Sequence, residues 1–373
     1  MVAATFGRGF YVLDNYSPLR NLKKETLDKP AHLYPIEDAL LYVPSAPLGL
    51  TGTGSQGADL WSAPNPAFGA VFSLYVKDVP KTLKEQRKEK ESALEKEKKD
   101  VFYPTLEELK QEQLEEKAQF IWIIRDSTGT EIRKLTSSPS KGISRMNWNL
   151  RLETTSPINP NKHAPGRYES ADEGALVTAG TYSVEIVLVK DGKSELLVPK
   201  TTFKVKALNN QTLAATNKAE LMQFRKQVAE LGRSINGSAK LMQETSEKLN
   251  LMKIAITNYP NADIKLLEEV RAIKLGLNDC STLLYGDGLK ASREFETLPS
   301  IAGRLGNVEY QLYESTTGVT KTQKDNIAIS AEEYVSYRKQ LDALIIRVKT
   351  LETKLEAVPI PYTKGNDENW KED

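Results

Sequence analysis

The pattern of apolar and polar positions changes period near residue 207. Before it, short apolar runs alternate with turn residues; after it, apolar positions recur every three and four residues. The first run, Phe10-Tyr11-Val12-Leu13, lies in residues 3–14, which read as one strand with Gly7 and Gly9 before the run and Asp14-Asn15 after it. Even an isolated hairpin is marginal in water, so this strand is expected to find sheet neighbours far along the chain or outside it. Residues 70–76 and 120–125 are further runs of strand length, Asp126-Ser127-Thr128-Gly129 is a turn into residues 131–135, and residues 143–152 carry Trp148. Residues 181–190 alternate, with Tyr182, Val184, Ile186 and Leu188 on one face and Ser183 and Glu185 opposite. Asp191-Gly192 is a two-residue hairpin signal, and residues 196–205 return, with Pro199 predicting an edge or a bulge. Short strands so punctuated predict a β-sandwich of immunoglobulin-like (Ig-like) size.

Residues 17–66 contain Pro18, Pro30, Pro35, Pro44, Pro47, Pro64 and Pro66, which forbid a long regular element and predict an extended connector. Gly52, Gly54 and Gly57 have the spacing of a dinucleotide loop, but no buried strand precedes them and prolines flank them, so they read as a plain loop. An insertion at residues 81–117 is dominated by Lys and Glu; Pro80 opens it and Pro104 divides it. It predicts a helical arm laced with i,i+4 ion pairs, whose sparse Leu83, Leu94, Leu106, Leu109 and Leu114 supply no core. Helical period then appears at Leu221, Phe224, Val228, Leu231 and Ile235, and again at Leu241, Thr245, Leu249, Met252 and Ile256, with Asn236-Gly237 reading as the break between two helices. A third helix is expected over 262–284, a short one near 302–313, and a long final one through Tyr334, Tyr337, Leu341, Leu344, Val348, Leu351 and Leu355. The predicted architecture is multidomain, β then α. A terminal strand and connector occupy 1–66, a sandwich with its 81–117 insertion 67–207, a four-helix antiparallel bundle 208–358, and a disordered tail 359–373.

At 373 residues the chain has room for two or three domains. Lys+Arg 51 against Asp+Glu 50 leaves no basic excess to recruit nucleic acid, and no apolar run approaches the roughly 20 residues of a membrane span. Met1 is followed by a short apolar piece without a charged n-region, so no export signal is read. Cys280 is the only cysteine, and His32 and His163 are the only histidines, which excludes a disulfide framework or cysteine-held metal and leaves little for histidine chemistry. Glu268 with Glu269, and Glu332 with Glu333, are adjacent on helices and point about 100 degrees apart, so neither pair converges on a substrate. Asp126, Asp172 and Glu173 are loop acids that nothing singles out. His163, near Asp172 and Glu173, lacks ligand spacing and reads as an exposed loop residue. Cys280 reads as a small buried hydrophobe, and Trp122 and Trp148, among apolar neighbours, as core rather than sugar platforms. Trp61 could clamp the connector, and Asn210-Gln211-Thr212 and Asn236-Gly237-Ser238 fit the glycosylation pattern. No catalytic, cofactor-binding or metal-binding residue is assigned, and no cofactor is expected.

Gly7-Arg8-Gly9-Phe10-Tyr11-Val12-Leu13-Asp14-Asn15, followed by Ser17-Pro18-Leu19-Arg20, resembles the closing strand of the last blade in large bacterial BNR-repeat proteins. These are the sortilin-like (Vps10-type) β-propellers common in Bacteroidetes and often labelled glycosyl hydrolases. The resemblance continues through Asn65-Pro66-Ala67-Phe68-Gly69-Ala70-Val71, Leu74-Tyr75-Val76-Lys77 and Lys141-Gly142-Ile143 to Asn147-Trp148-Asn149-Leu150-Arg151, where the family usually has Trp-Asp-Leu-Arg. Gly180-Thr181-Tyr182-Ser183-Val184 is similar to the family's Pro-Gly-x-Tyr strand, a pattern shared with flagellar hook-capping modules. Phe6 stands where the family commonly has His, and Asn149 where it has Asp. The resemblance implies a non-catalytic C-terminal accessory region of an exported protein, periplasmic or at the cell surface. It would brace an upstream propeller and offer a surface to a protein or glycan. Its alternatives are part of a glycoside hydrolase whose catalytic face lies on that propeller, or a secretion- or peptidase-associated scaffold.

Overall fold

The computed structural model describes residues 1–7, 9–44, 65–161, 172–208, 213, 215–313 and 315–358. The Gly52-Gly54-Gly57 loop, Trp61, His163, the Asn210 acceptor and the expected tail fall outside them. The fold is mixed, 45% helix and 22% strand, with sheets first and a helical region last. It divides into two compact units, the first from Met1–Glu153 with Val177–Thr212, the second from Thr154–Leu176 with the chain from Leu213 onward.

The first unit opens with two strands where the sequence predicted one. β1 (Val2–Thr5) pairs antiparallel with β2 (Gly9–Val12), Val2 opposite Val12 and Thr5 opposite Gly9. Gly7 and Gly9, at φ 78° and 77°, supply the left-handed turn that folds the chain back. Short helices α1 (Ser17–Arg20) and α2 (Lys24–Asp28) follow, then β3 (Ala31–Leu33) and β4 (Ala39–Leu41). The connector reading is thereby corrected, because residues 31–41 are part of the sheets rather than a linker to them. Pro30 and Pro35 bracket β3, Leu33, Ala39 and Leu41 are buried, and β3 and β4 are each an edge of their sheet.

β5 (Ala70–Val76) is the middle of a three-stranded antiparallel sheet, between β3 and β8. β6 (Gln119–Arg125), β7 (Glu131–Ser137), β8 (Gly142–Trp148), β9 (Gly180–Lys190) and β10 (Lys193–Ala207) complete the set, and the larger sheet has the order β4-β10-β9-β6-β7. β4 joins β10 parallel; the other pairs are antiparallel. Asp191 and Gly192, at φ 48° and 69°, make the two-residue turn between β9 and β10, and the register slips between Leu196 and Val198 and again between Val198 and Thr201, across Pro199, the expected bulge. The two sheets share one aromatic core: Phe72 of β5 stacks on Trp122 of β6 at 5.8 Å and meets Phe203 of β10 at 5.3 Å. Trp148 lies against Tyr182 of β9 at 5.5 Å.

Between β5 and β6 stands the arm, α3 (Leu83–Lys96) and α4 (Leu106–Leu114). Neither helix buries a residue, and each starts with a capping box, Thr82 with Glu85 and Thr105 with Glu108, so each N-terminus satisfies itself. Arg87 ties them together through a two-pronged bond to Glu112 at 2.5 and 2.9 Å, and pairs with Glu91 one turn on.

In the second unit the expected break at Asn236-Gly237 is absent. α5 (Lys218–Asn258) runs unbroken for 41 residues. Gly237 costs about 1 kcal/mol there, which burial of the neighbouring Ile235 offsets. α6 (Leu266–Tyr285), the short α7 (Gly288–Ala291), α8 (Ile301–Tyr313) and α9 (Lys321–Glu356) follow. Glu220–Lys324, Ser238–Tyr334 and Lys248–Glu352 pairs show α5 and α9 running parallel. Glu269–Lys354, with Gly276 lying against Leu344, sets α6 antiparallel to α9, and Ser330 to the Ile301 carbonyl, with Gln323 to Gln311, sets α8 antiparallel to it further along. The expected four-helix antiparallel bundle is corrected to three columns. Two long parallel helices flank a third made of α6 and α8 in succession, around a core that includes Tyr337, Leu341, Ile273 and Val308.

Candidate functional site

Three surfaces carry features that the fold itself does not use. The first is the β1–β2 hairpin. Every residue of both strands is exposed, including Val2, Phe10, Tyr11 and Val12, and Phe6 in its turn is fully bare. A two-stranded sheet with no packed face lacks the burial that normally stabilises one.

The second is the far end of the arm. Val101-Phe102-Tyr103-Pro104 links α3 to α4, and Phe102, Tyr103 and Leu106 are 83, 89 and 86% exposed. The opposite end is fastened to the β9–β10 turn: Glu115 pairs with Lys190 at 2.7 Å, the Glu116 amide donates to Asp191 at 2.8 Å, and the Gly192 amide donates to Glu116 at 3.2 Å.

The third is a cleft of about 360 Å³ at the break between α6 and α8, lined in part by Thr282, Asp287, Lys290, Ser300, Glu333 and Ser336. Its charges are already engaged. Asp287 caps α7 by accepting from the Leu289 and Lys290 amides at 3.0 and 3.2 Å, with the Lys290 ammonium 3.8 Å away, and Glu333 lies 3.9 Å from Arg304. It therefore offers hydroxyls and apolar walls but no assembled acid and base.

The residues weighed from sequence resolve mostly into structural roles. Asp126 caps its own turn, accepting from the Thr128 and Thr130 amides at 2.9 and 3.1 Å. Asp172 accepts from Ser156 at 2.8 Å and from Thr154. Glu269 pairs with Lys354, and Glu333, one of the paired helix acids, is the one that reaches the cleft. Cys280 is fully buried, and burial together with the neighbouring Asp279 pushes its thiol above the ordinary range. Trp122 and Trp148 are core residues, their indole N–H groups donating to Ser137 at 2.9 Å and to the Arg151 carbonyl at 3.0 Å. His32 sits on β3 beside Tyr34, its basicity lowered by burial and by Lys29. The Asn147–Arg151 stretch turns the chain. Leu150 is buried at φ 59°, its carbonyl accepts from the Val177 amide at 2.8 Å, and Asn147 donates to the Phe68 carbonyl at 3.0 Å.

Sequence reasoning missed one half-buried polar seat in the second unit. Asn236 donates to Thr155 Oγ1 at 3.1 Å, Thr155 donates to Glu309 at 3.2 Å, and a Cβ on Gly232 would lie 2.7 Å from Glu309 Oε1 and 3.1 Å from the Thr155 side chain. Burial raises the Glu309 carboxyl above its usual range, and the Thr155 bond only partly offsets this. Among the described residues, no group of three or more His, Cys, Asp or Glu is placed to hold a metal ion, and no helix is long and apolar enough to cross a membrane. No family model, curated protein or solved structure matches this chain.

Proposed function

We propose that this chain is a non-catalytic accessory region of an exported sortilin-like BNR-repeat propeller protein. It braces the propeller through the β1–β2 hairpin and presents a surface to a protein or glycan partner. The observation that carries the reading is the hairpin: a two-stranded sheet, bare on every residue, that holds the Gly7–Asn15 motif and would be completed by further strands of a blade. The first unit is best read as an Ig-like sandwich. In its support, the Tyr182 hydroxyl donates to the Thr178 carbonyl at 2.6 Å, as a tyrosine corner does, with Trp148 packed against the same ring.

The test is association of this chain with the upstream blades of the longer protein, produced separately. Binding is expected, and Phe10→Asp with Val12→Asp should weaken it by at least about tenfold, since each buries a charge in an apolar seam. Hydrolysis of glycans by this chain alone, or binding indifferent to those substitutions, contradicts the proposal.

A further inference from the structure

We propose that the cleft at the break between α6 and α8 binds a neutral sugar ring, held by hydroxyl hydrogen bonds against an apolar wall. The inference takes up the glycan side of the function proposed above but needs neither the hairpin nor a propeller, since the whole cleft lies in the second unit. The cleft exists because the middle column of helix is interrupted. Gly286, at φ 90°, ends α6 in a conformation that favours glycine, and residues 287–300 intervene before α8 begins. Its volume of about 360 Å³ falls at the lower end of the range for small-ligand sites, about 300–1,000 Å³.

The charges around the cleft select against an ionic ligand. Asp287 has Lys290 beside it at 3.8 Å and Glu333 has Arg304 at 3.9 Å, so the two pairs cancel. A phosphate or carboxylate would meet Asp287 and Glu333 as like charges, and an amine would meet Lys290 and Arg304. Both separations exceed hydrogen-bond length, which leaves Glu333 able to accept from an uncharged donor. The hydroxyls have capacity of both kinds. Ser300 accepts from the Gly303 amide at 3.2 Å and keeps its proton to donate, while Thr282 donates to the Asn278 carbonyl at 3.1 Å and keeps lone pairs to accept. Thr297 and Ser336 make no side-chain hydrogen bond among the described residues. Such mixed groups are matched by a ligand whose own groups both donate and accept, as sugar hydroxyls do. The apolar share of the lining matches the C–H face of a pyranose: Leu298 lines the cleft yet is 85% exposed, so a ring lying on it covers surface that the fold leaves bare.

Saturation-transfer NMR and calorimetry on the full chain test this. The probes are the methyl glycosides of glucose, galactose, mannose and N-acetylglucosamine, with N-acetylneuraminic acid and glucosamine as charged comparators. A neutral glycoside should bind with a Kd of about 1 mM or tighter, and both charged sugars about tenfold more weakly. Thr297→Ala with Ser336→Ala should weaken binding by about tenfold without changing the thermal melt, since both residues are exposed. Leu298→Asp should weaken it similarly, by replacing the apolar wall with a charge. No binding of any neutral glycoside at about 10 mM, tightest binding by a charged sugar, or binding indifferent to these substitutions overturns the proposal. Any of those results would leave the hairpin's role standing, and loss of hairpin association would leave the cleft's.

Discussion

Gly69 has φ 114°, and a Cβ built on it would lie 2.0 Å from the Trp148 carbonyl oxygen. Both the backbone conformation and the space exclude a side chain, so β5 can enter beside β8 only through glycine. Gly69→Ala is therefore expected to destabilise the first unit by about 3 kcal/mol or more, measured by urea denaturation. A change under about 1 kcal/mol would show that the β5–β8 seam yields easily. Trp148 belongs to the same knot of residues, in which Trp148, Leu150 and Arg151 are buried and Asn147 and Trp148 donate to backbone carbonyls. The burial of Trp122, Trp148 and Cys280 was legible in the sequence because their immediate neighbours are apolar. The polar seat at Glu309 was not, since Thr155 and Asn236 meet it from 154 and 73 residues away with no local signal.

At the scale of elements, α5 shows local preference losing to packing. Asn-Gly favours a turn, yet Gly237 is helical and a Cβ placed on it would meet nothing within 4 Å, while the flanking Ile235 and Ser238 are buried. Gly237→Ala should accordingly stabilise the helical unit by about 1 kcal/mol in a denaturant titration; destabilisation would mean that the helix needs a weak point there. The strands of the first unit were readable from alternation and from pairs such as Asp191-Gly192. β3 and β4 were not, because three residues between prolines carry no period.

The raised Glu309 carboxyl predicts a pH dependence for the helical unit. Its folded pKa is raised, so the protonated form is favoured in the native state. The site's contribution is intact below the unfolded value near 4.5 and is lost as pH rises through the raised folded value. Glu309→Gln keeps the acceptor for Thr155 and removes the charge. It should raise the Tm at pH 7 by on the order of 2 °C and leave it unchanged near pH 4, where both states carry the proton. An equal shift at both pH values would assign the effect to packing instead.

For the whole molecule, the sheets and helices account for their own cores, and the large apolar side chains left exposed include those of the hairpin and the arm tip as well as Ile158, Leu298 and Tyr310. The division into a β-rich and a helical unit was legible from the change of period. The crossing of Thr154–Leu176 into the helical unit was not, because it depends on contacts such as Arg225 to the Leu176 carbonyl and Asn236 to Thr155 that span long sequence distances. The hairpin was read as a single strand because Val2–Thr5 is only four residues long and carries two alanines. Once seen as a bare two-stranded sheet, it is the part of the chain that most needs a neighbour. Hydrogen exchange of the amides in residues 2–12 is the most direct measurement of that need. In this chain alone they should exchange freely while those of β9 and β10 are protected, and in the propeller protein proposed above they should become as protected as β9. Strong protection in the chain alone, or none in that propeller protein, would contradict the account.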